Sequence, residues 1–251
     1  MIIMILVLAM AVQPAAAASK QAKTKTVWVI DKISSALNEE DVQTIKYNSK
    51  GLIKSYVSNI DYSGINYKYT YNKKNKLTKV TNELQPGTVR ITKYEYSGNK
   101  LVRSYESYAP FKKSTALKTT YKWSKKSGKY FVKIKNSNYN RTLTLKKDYS
   151  LLKSDSEQGN AVTNKFNKMG RLTSSKYEAT NATARYKYTE NSKGNITKVR
   201  YKGQGADSYS DFKYLHYKKI KVPAATYDLV VKQQRYLMEW TCPLWMLDSM
   251  E

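Results

Sequence analysis

One cysteine, Cys242, and one histidine, His216, stand in a chain of 251 residues. A single cysteine closes no internal disulfide, and one His plus one Cys supply no ligand set for a typical zinc site. No metal or cofactor is therefore expected. Nucleophilic catalysis needs a thiol or hydroxyl beside a base, and neither Cys242 nor His216 has an identifiable partner. His216 is expected to be a surface or packing residue of a strand, and no catalytic residue is assigned. Acidic residues are scarce as well, 19 against 45 lysines and arginines. Glycoside hydrolysis needs two carboxylates. Glu39-Glu40-Asp41 sits in a polar connection, and Asp148, Asp155, Glu157, Asp207 and Asp211 fall in or near loops. No spacing marks a pair, which leaves a glycan-active hydrolase as the third reading.

Apolar runs are equally few. The only long one is Met1 to Val12, followed by Pro14, Ala15 to Ala18 and Ser19-Lys20. An apolar stretch ending in small residues reads as a secretory signal peptide, with cleavage expected after Ala18. As an uncleaved anchor it falls short of the roughly 20 apolar residues that span a bilayer. Residues 1–18 are thus a signal peptide and 19–26 a linker. The location is secreted or cell-surface, with no membrane span after cleavage. Secreted metazoan domains lean on disulfides. Their absence points to a bacterial exported protein whose core is large enough without them.

What is abundant is positive charge and tyrosine. The formal net charge is +26 and the predicted signal carries none of it, so the field attracts anions. Only seven of the 45 cations are arginine, from Arg90 to Arg235. Bidentate anion recognition prefers the arginine fork, so the surface reads as diffuse attraction. Tyrosine occurs 23 times against four phenylalanines. It alternates with lysine and threonine in Tyr67-Lys68-Tyr69-Thr70-Tyr71, Lys93-Tyr94-Glu95-Tyr96 and Tyr186-Lys187-Tyr188. A period of two in aromatic and β-branched residues is a strand buried on one face. Rings on that face are expected to form the sheet's own core, with hydroxyls reaching water. Lysines would hold the outer face and guard sheet edges.

These strands recur. An aromatic, a short polar turn, then Leu or Ile appear at Tyr47 to Leu52, Tyr71 to Leu77, Tyr96 to Leu101, Phe166 to Leu172 and Tyr188 to Ile196, with looser copies near Ser127-Gly128 and Asp148-Tyr149. Gly and Asn take turn positions because they accept positive φ. Phe166-Asn-Lys-Met-Gly-Arg-Leu-Thr173 resembles the YD repeat of the Rhs and teneurin type, with Asn48, Asn72, Ser97, Asn167 or Thr189 in place of the family's aspartate. The resemblance covers most of residues 42–222. It implies a β-hairpin array and an exported location. In that family many units build a shell, and roughly seven units are expected to be too few to close one.

The fold class is therefore all-β, an antiparallel meander of tandem hairpins as an extended or curled sheet over residues 27–222. Residues 223–251 form a short C-terminal helix and an apolar tail. Tyr227, Val230, Val231, Gln234 and Met238 would share a helix face that caps one end of the sheet. Trp240 to Leu247 reads either as a docking tail or as a reading-frame accident. Sequons at Asn140, Asn181 and Asn195 carry no meaning in a bacterial chain. The leading function is a non-catalytic binding module for an anionic cell-wall polymer or a glycan. Contact would come from Tyr67, Tyr69, Tyr71, Tyr94, Tyr96, Tyr186, Tyr188 and Arg171. The alternative is a structural or assembly protein that engages a protein partner through a sheet edge or the tail. Nucleic acid is not expected as a physiological partner of an exported chain. Far-ultraviolet circular dichroism of residues 19–251 is expected to show mainly β-structure. Helix content above about one third would overturn that architecture, since ordinary globular domains already average about that much.

Overall fold

The computed structural model describes residues 23–36, 38, 40–59, 65–157 and 161–239. The expected signal peptide, most of the linker, Glu39, Cys242 and the tail from residue 240 lie outside the described residues. Sixteen strands follow in order. The first eight are β1 (Thr24–Ser35), β2 (Val42–Tyr47), β3 (Ile53–Ser58), β4 (Ile65–Tyr71), β5 (Leu77–Gln85), β6 (Thr88–Ser97), β7 (Lys100–Tyr108) and β8 (Leu117–Lys126). Then come β9 (Lys129–Lys135), β10 (Asn140–Leu145), β11 (Leu151–Ser156), β12 (Val162–Phe166), β13 (Leu172–Tyr177), β14 (Ala182–Glu190), β15 (Ile196–Lys202) and β16 (Ser210–Pro223). A 3-10 turn at Ala224–Thr226 leads into helix α1 (Tyr227–Glu239).

Every strand pairs antiparallel with its neighbour in sequence, and β1 pairs with β16 from Thr24↔Pro223 to Ser35↔Lys213. The sheet is closed. This corrects the expectation of an open or curled meander and of too few units to close. The sixteenth strand comes from β1, which begins at Thr24, ahead of the boundary read at Val27. Closure also removes the free edge on which the assembly alternative partly rested, because a barrel has no edge strand.

The repeats sit where the sequence places them. Seven turns, joining β2–β3, β4–β5, β6–β7, β8–β9, β10–β11, β12–β13 and β14–β15, lie on one rim, together with the start of β1 and the end of β16. In the fuller turns an asparagine organises the loop. The Asn72 carboxamide oxygen accepts from Lys74 N at 2.9 Å and Lys76 N at 3.0 Å. Asn48, Asn167 and Asn191 do the same in their turns. The last of these is a correction, since Asn191 takes the place read for Thr189. The side chain stands in for a backbone turn acceptor, as Asx residues do.

Just after each turn the ladder slips by one residue, between Lys46/Tyr47, Thr70/Tyr71, Glu95/Tyr96, Thr144/Leu145, Lys165/Phe166 and Thr189/Glu190. A bulge bends its strand and raises the local twist. Repeated around the rim, the bulges give the sheet the curvature that closure requires. Threonines pin three of them: Thr78, Thr173 and Thr197 hydroxyls donate to the carbonyls of Thr70, Lys165 and Thr189.

The inward face carries one continuous cluster that includes Ile33, Ile45, Ile53, Leu77, Leu101, Val132, Leu145, Ile196 and Leu215, with the tyrosines packed against it. Sixteen-stranded barrels can leave an aqueous interior. Here the inward layer near the turn rim is dry, with Leu77, Leu101, Val132 and Leu145 excluded from solvent. Helix α1 covers this rim beside β1 to β3. Its buried face is Val230, Gln233, Gln234 and Leu237, at i, i+3, i+4 and i+7. Val231 is 44% exposed, which corrects its expected place on the capping face. The Met238 side chain lies outside the described part. Two glutamines tie the helix to strand backbone: Ile30 N donates to Gln234 Oε1 at 2.7 Å and Ile53 N to Gln233 Oε1 at 3.0 Å. Where the sequence suggests apolar capping, the helix therefore also supplies acceptors to amides at the rim.

Gly51 and Gly98 separate two costs. Both have positive φ, +78° and +55°. A Cβ on Gly98 meets nothing within 4 Å, whereas one on Gly51 falls 2.3 Å from Val222 Cγ1. Gly98→Ala is expected to cost about 1 kcal/mol from backbone strain alone. Gly51→Ala adds overpacking against Val222 and should cost about 3 kcal/mol. Urea denaturation of both variants checks this, and equal losses would contradict it.

Candidate functional site

An aromatic from each new hairpin reaches back to a carbonyl of the hairpin before it. Tyr71 Oη donates to Ile53 O at 3.0 Å, Tyr96 to Leu77 O at 2.9 Å, Tyr188 to Leu172 O at 2.7 Å and Tyr217 to Ile196 O at 2.9 Å. Trp123 Nε1 donates to Leu101 O at 2.8 Å, and Tyr47 Oη to Ile30 O. Where Phe166 lacks a hydroxyl, Asn164 Nδ2 takes the Leu151 carbonyl at 3.0 Å. The hydroxyls expected to reach water instead satisfy backbone. Burial is the main reason that the Tyr47 and Tyr217 hydroxyls titrate well above the usual phenol range, and it pushes Tyr121 and Tyr186 up to about 12.

The seven tyrosines read from the sequence as contact residues all fall on this inward face. Tyr67, Tyr69, Tyr71, Tyr94, Tyr96, Tyr186 and Tyr188 pack against the core cluster. They are brought together as a core lining, not as a platform open to a polymer. Arg171 is different. It sits on the β12–β13 turn, ion-paired to Glu190, and lines a cleft at the rim. His216 is exposed on the outer face, 3.2 Å from Ser34 Oγ. The carboxylates are dispersed among cations: Asp211 faces Lys198 and Arg200, and Asp155 faces Lys153. Among the described residues no cluster of His, Cys, Asp and Glu has the makings of a metal site.

The cleft measures about 370 Å³ and lies between the β1 segment at Trp28, the β12–β13 and β14–β15 turns, Tyr217 and helix α1. Sequence reasoning named Arg171 there but missed Trp28, Asn195 and Gln234. Nothing in the local pattern brings residues 28, 195 and 234 together, because only barrel closure does. The Lys193 ammonium lies 4.2 Å from the Trp28 ring centroid. The hydrogen bond from Arg171 holds the Glu190 carboxyl below its ordinary range.

The outer face is built from the alternate positions. Lys46, Lys68, Lys122, Lys133, Lys165 and Lys187 are exposed there. Several cations stand directly opposite one another across strands: Lys79↔Lys93, Lys122↔Lys133, Arg185↔Lys202 and Lys187↔Arg200. Hairpin β8–β9, residues 117–135, has seven lysines and neither Asp nor Glu. Its outward side presents Lys118, Lys122, Lys126, Lys129, Lys133 and Lys135.

These features define a closed antiparallel β-barrel with a filled interior, a cationic outer face and a cleft at its turn rim. No protein-family model matches the chain, and no curated protein matches it. Among solved structures it is similar to a porin-like protein from Bacteroides uniformis, at 16% identity over 72% of this chain and 77% of that one, with a TM-score of 0.33. It is also similar to a porin-like protein from Bacteroides vulgatus, at 11% identity over 75% of this chain and 98% of that one, with a TM-score of 0.38. At those values neither decides what this chain does.

The buried phenols set an alkaline limit. A tyrosine ionises near pH 10 when unfolded, and the folded values of Tyr121 and Tyr186 are raised to about 12. Unfolding then releases protons, so the stabilising contribution is complete below pH about 10 and is lost as the pH rises toward 12. Denaturant midpoints are expected to be flat from neutral pH to about 9 and to fall steeply above 10. A flat profile through pH 11.5 would contradict the burial of these hydroxyls.

Proposed function

We propose that this protein is an exported, non-catalytic barrel that binds an anionic cell-wall polymer through its outer lysine face. The observation that carries the reading is the directly opposed cation pairs, above all Lys122↔Lys133 on a hairpin without a single acid. Like charges opposite one another destabilise a sheet. A polyanion laid across them removes that repulsion and releases its own counterions. The export signal read in residues 1–18 puts the protein where such polymers are found. The turns would be degenerate relatives of YD units, used here as a barrel-building device.

The same face argues against a lipid-embedded barrel. A membrane barrel needs an outward apolar band about 25 Å tall, and a lysine at the bilayer midplane costs about 2–4 kcal/mol. Lys68, Lys122, Lys133, Lys165 and Lys187 lie within strands on the side that lipid would touch.

The test compares binding to isolated bacterial cell walls before and after removal of their anionic polymers. Binding should require the polymer and weaken linearly in log–log form as salt rises, with a slope of about −0.9 per phosphate contacted. Replacing Lys122, Lys133 and Lys135 together by glutamine should reduce the slope by about 2 to 3 and leave stability unchanged or higher. Equal binding to stripped walls, or a triple variant with unchanged slope, would overturn the reading.

A further inference from the structure

The rim cleft contains two amide groups that the fold leaves unused. Gln234 is 6% exposed and lines the cleft. Its orientation follows from chemistry, because Oε1 accepts from Ile30 N at 2.7 Å and from Tyr47 Oη at 3.3 Å, so Nε2 occupies the other position. That Nε2 has no partner, and neither does Asn195 Nδ2 on the adjoining turn. A buried donor left without an acceptor costs about 1–3 kcal/mol. Two of them in one cleft, contributed by elements 39 positions apart in sequence, form a pair of donors directed to a ligand's oxygens.

The surroundings narrow that ligand. Arg171 is neutralised by its ion pair with Glu190, and Tyr217 spends its hydroxyl on the Ile196 carbonyl. What is free to act is therefore uncharged: two amide donors, with aromatic surface from Trp28 and Tyr227. A flat apolar face edged by acceptor oxygens meets both requirements. The volume, about 370 Å³, lies at the small end of ligand pockets, which run from about 300 to 1,000 Å³.

We propose that this cleft is a binding site for the end of a neutral saccharide chain, with Asn195 Nδ2 and Gln234 Nε2 donating to sugar oxygens and Trp28 packing on the ring. The site is separate from the lysine face, and its binding does not depend on the polyanion reading. Uncharged contacts are insensitive to ionic strength, so salt distinguishes the two.

The full-length protein is titrated with two neutral probes, a tetramer of N-acetylglucosamine and a tetramer of glucose, followed by calorimetry and tryptophan fluorescence. At least one should bind saturably, with an affinity that is unchanged when salt is raised. Asn195→Asp keeps the shape and replaces the donor by an acceptor, and should weaken binding at least tenfold. Its own turn bond uses the backbone N–H to Asn191, which the substitution retains. Trp28→Leu should abolish the fluorescence response and weaken binding by a similar factor. The response of both variants to denaturant is measured alongside, and an Asn195→Ser variant that folds normally serves if Asn195→Asp does not. No saturable binding of either probe, or equal affinity in the native protein and the folded variants, would overturn the proposal while leaving the wall-polymer result untouched.

Discussion

The structure depends on one repeated hydrogen bond, from an aromatic side chain to the carbonyl of the residue that opens the previous hairpin's second strand. A bulge beside each turn takes that stretch out of ladder register, and a buried carbonyl without a donor is costly. A tyrosine or tryptophan supplies the donor and fills the interior with its ring. Each link is worth about 1 kcal/mol net, yet it couples one hairpin to the next, so the array is held by its rim as well as by its ladders. At Leu151 the same carbonyl is taken by Asn164. The need is therefore a donor at that point, and the aromatic is its usual source.

Closure follows from the same devices. The bulges add twist, the longest ladder joins β1 to β16, and helix α1 covers the rim where they meet. The helix does this with glutamines because strand amides at the rim need acceptors. Lys213, buried on the inward face, reaches the Leu237 carbonyl at 3.4 Å near the helix's C-terminal end. A cation there meets unpaired carbonyls and the negative end of the helix dipole. A polar contact thus anchors each end of an otherwise apolar packing.

With aromatics drawn inward, lysines have only one place to go. The alternation that fills the core also puts cations opposite cations on neighbouring strands, an arrangement that raises the energy of the unliganded surface. The barrel is accordingly polar outside and apolar within, the reverse of what a lipid bilayer requires. Its two candidate sites obey different physics. The flank acts through long-range charge and the rim through short-range donors in a partly dry cleft.

The antiparallel strands, the turn positions and the segregation of tyrosine from lysine were all legible in the chain, because a period of two and a Gly or Asn at positive φ are local facts. Gly51, Gly98, Gly170 and Gly194 do adopt that backbone, and the looser copies at Ser127-Gly128 and Tyr149 do as well. The role of the tyrosine hydroxyls was not legible, since their acceptors lie 16 to 24 residues back on another hairpin. Nor was Val231's exposure, because the side of the helix that is buried depends on where the rim lies. By itself the sequence determined a sheet of hairpins with a cationic face, through alternation and turn chemistry. Tertiary structure alone decided that the sheet closes and that Trp28, Asn195 and Gln234 meet, because strand pairing between residues some 190 positions apart leaves no trace in any local pattern.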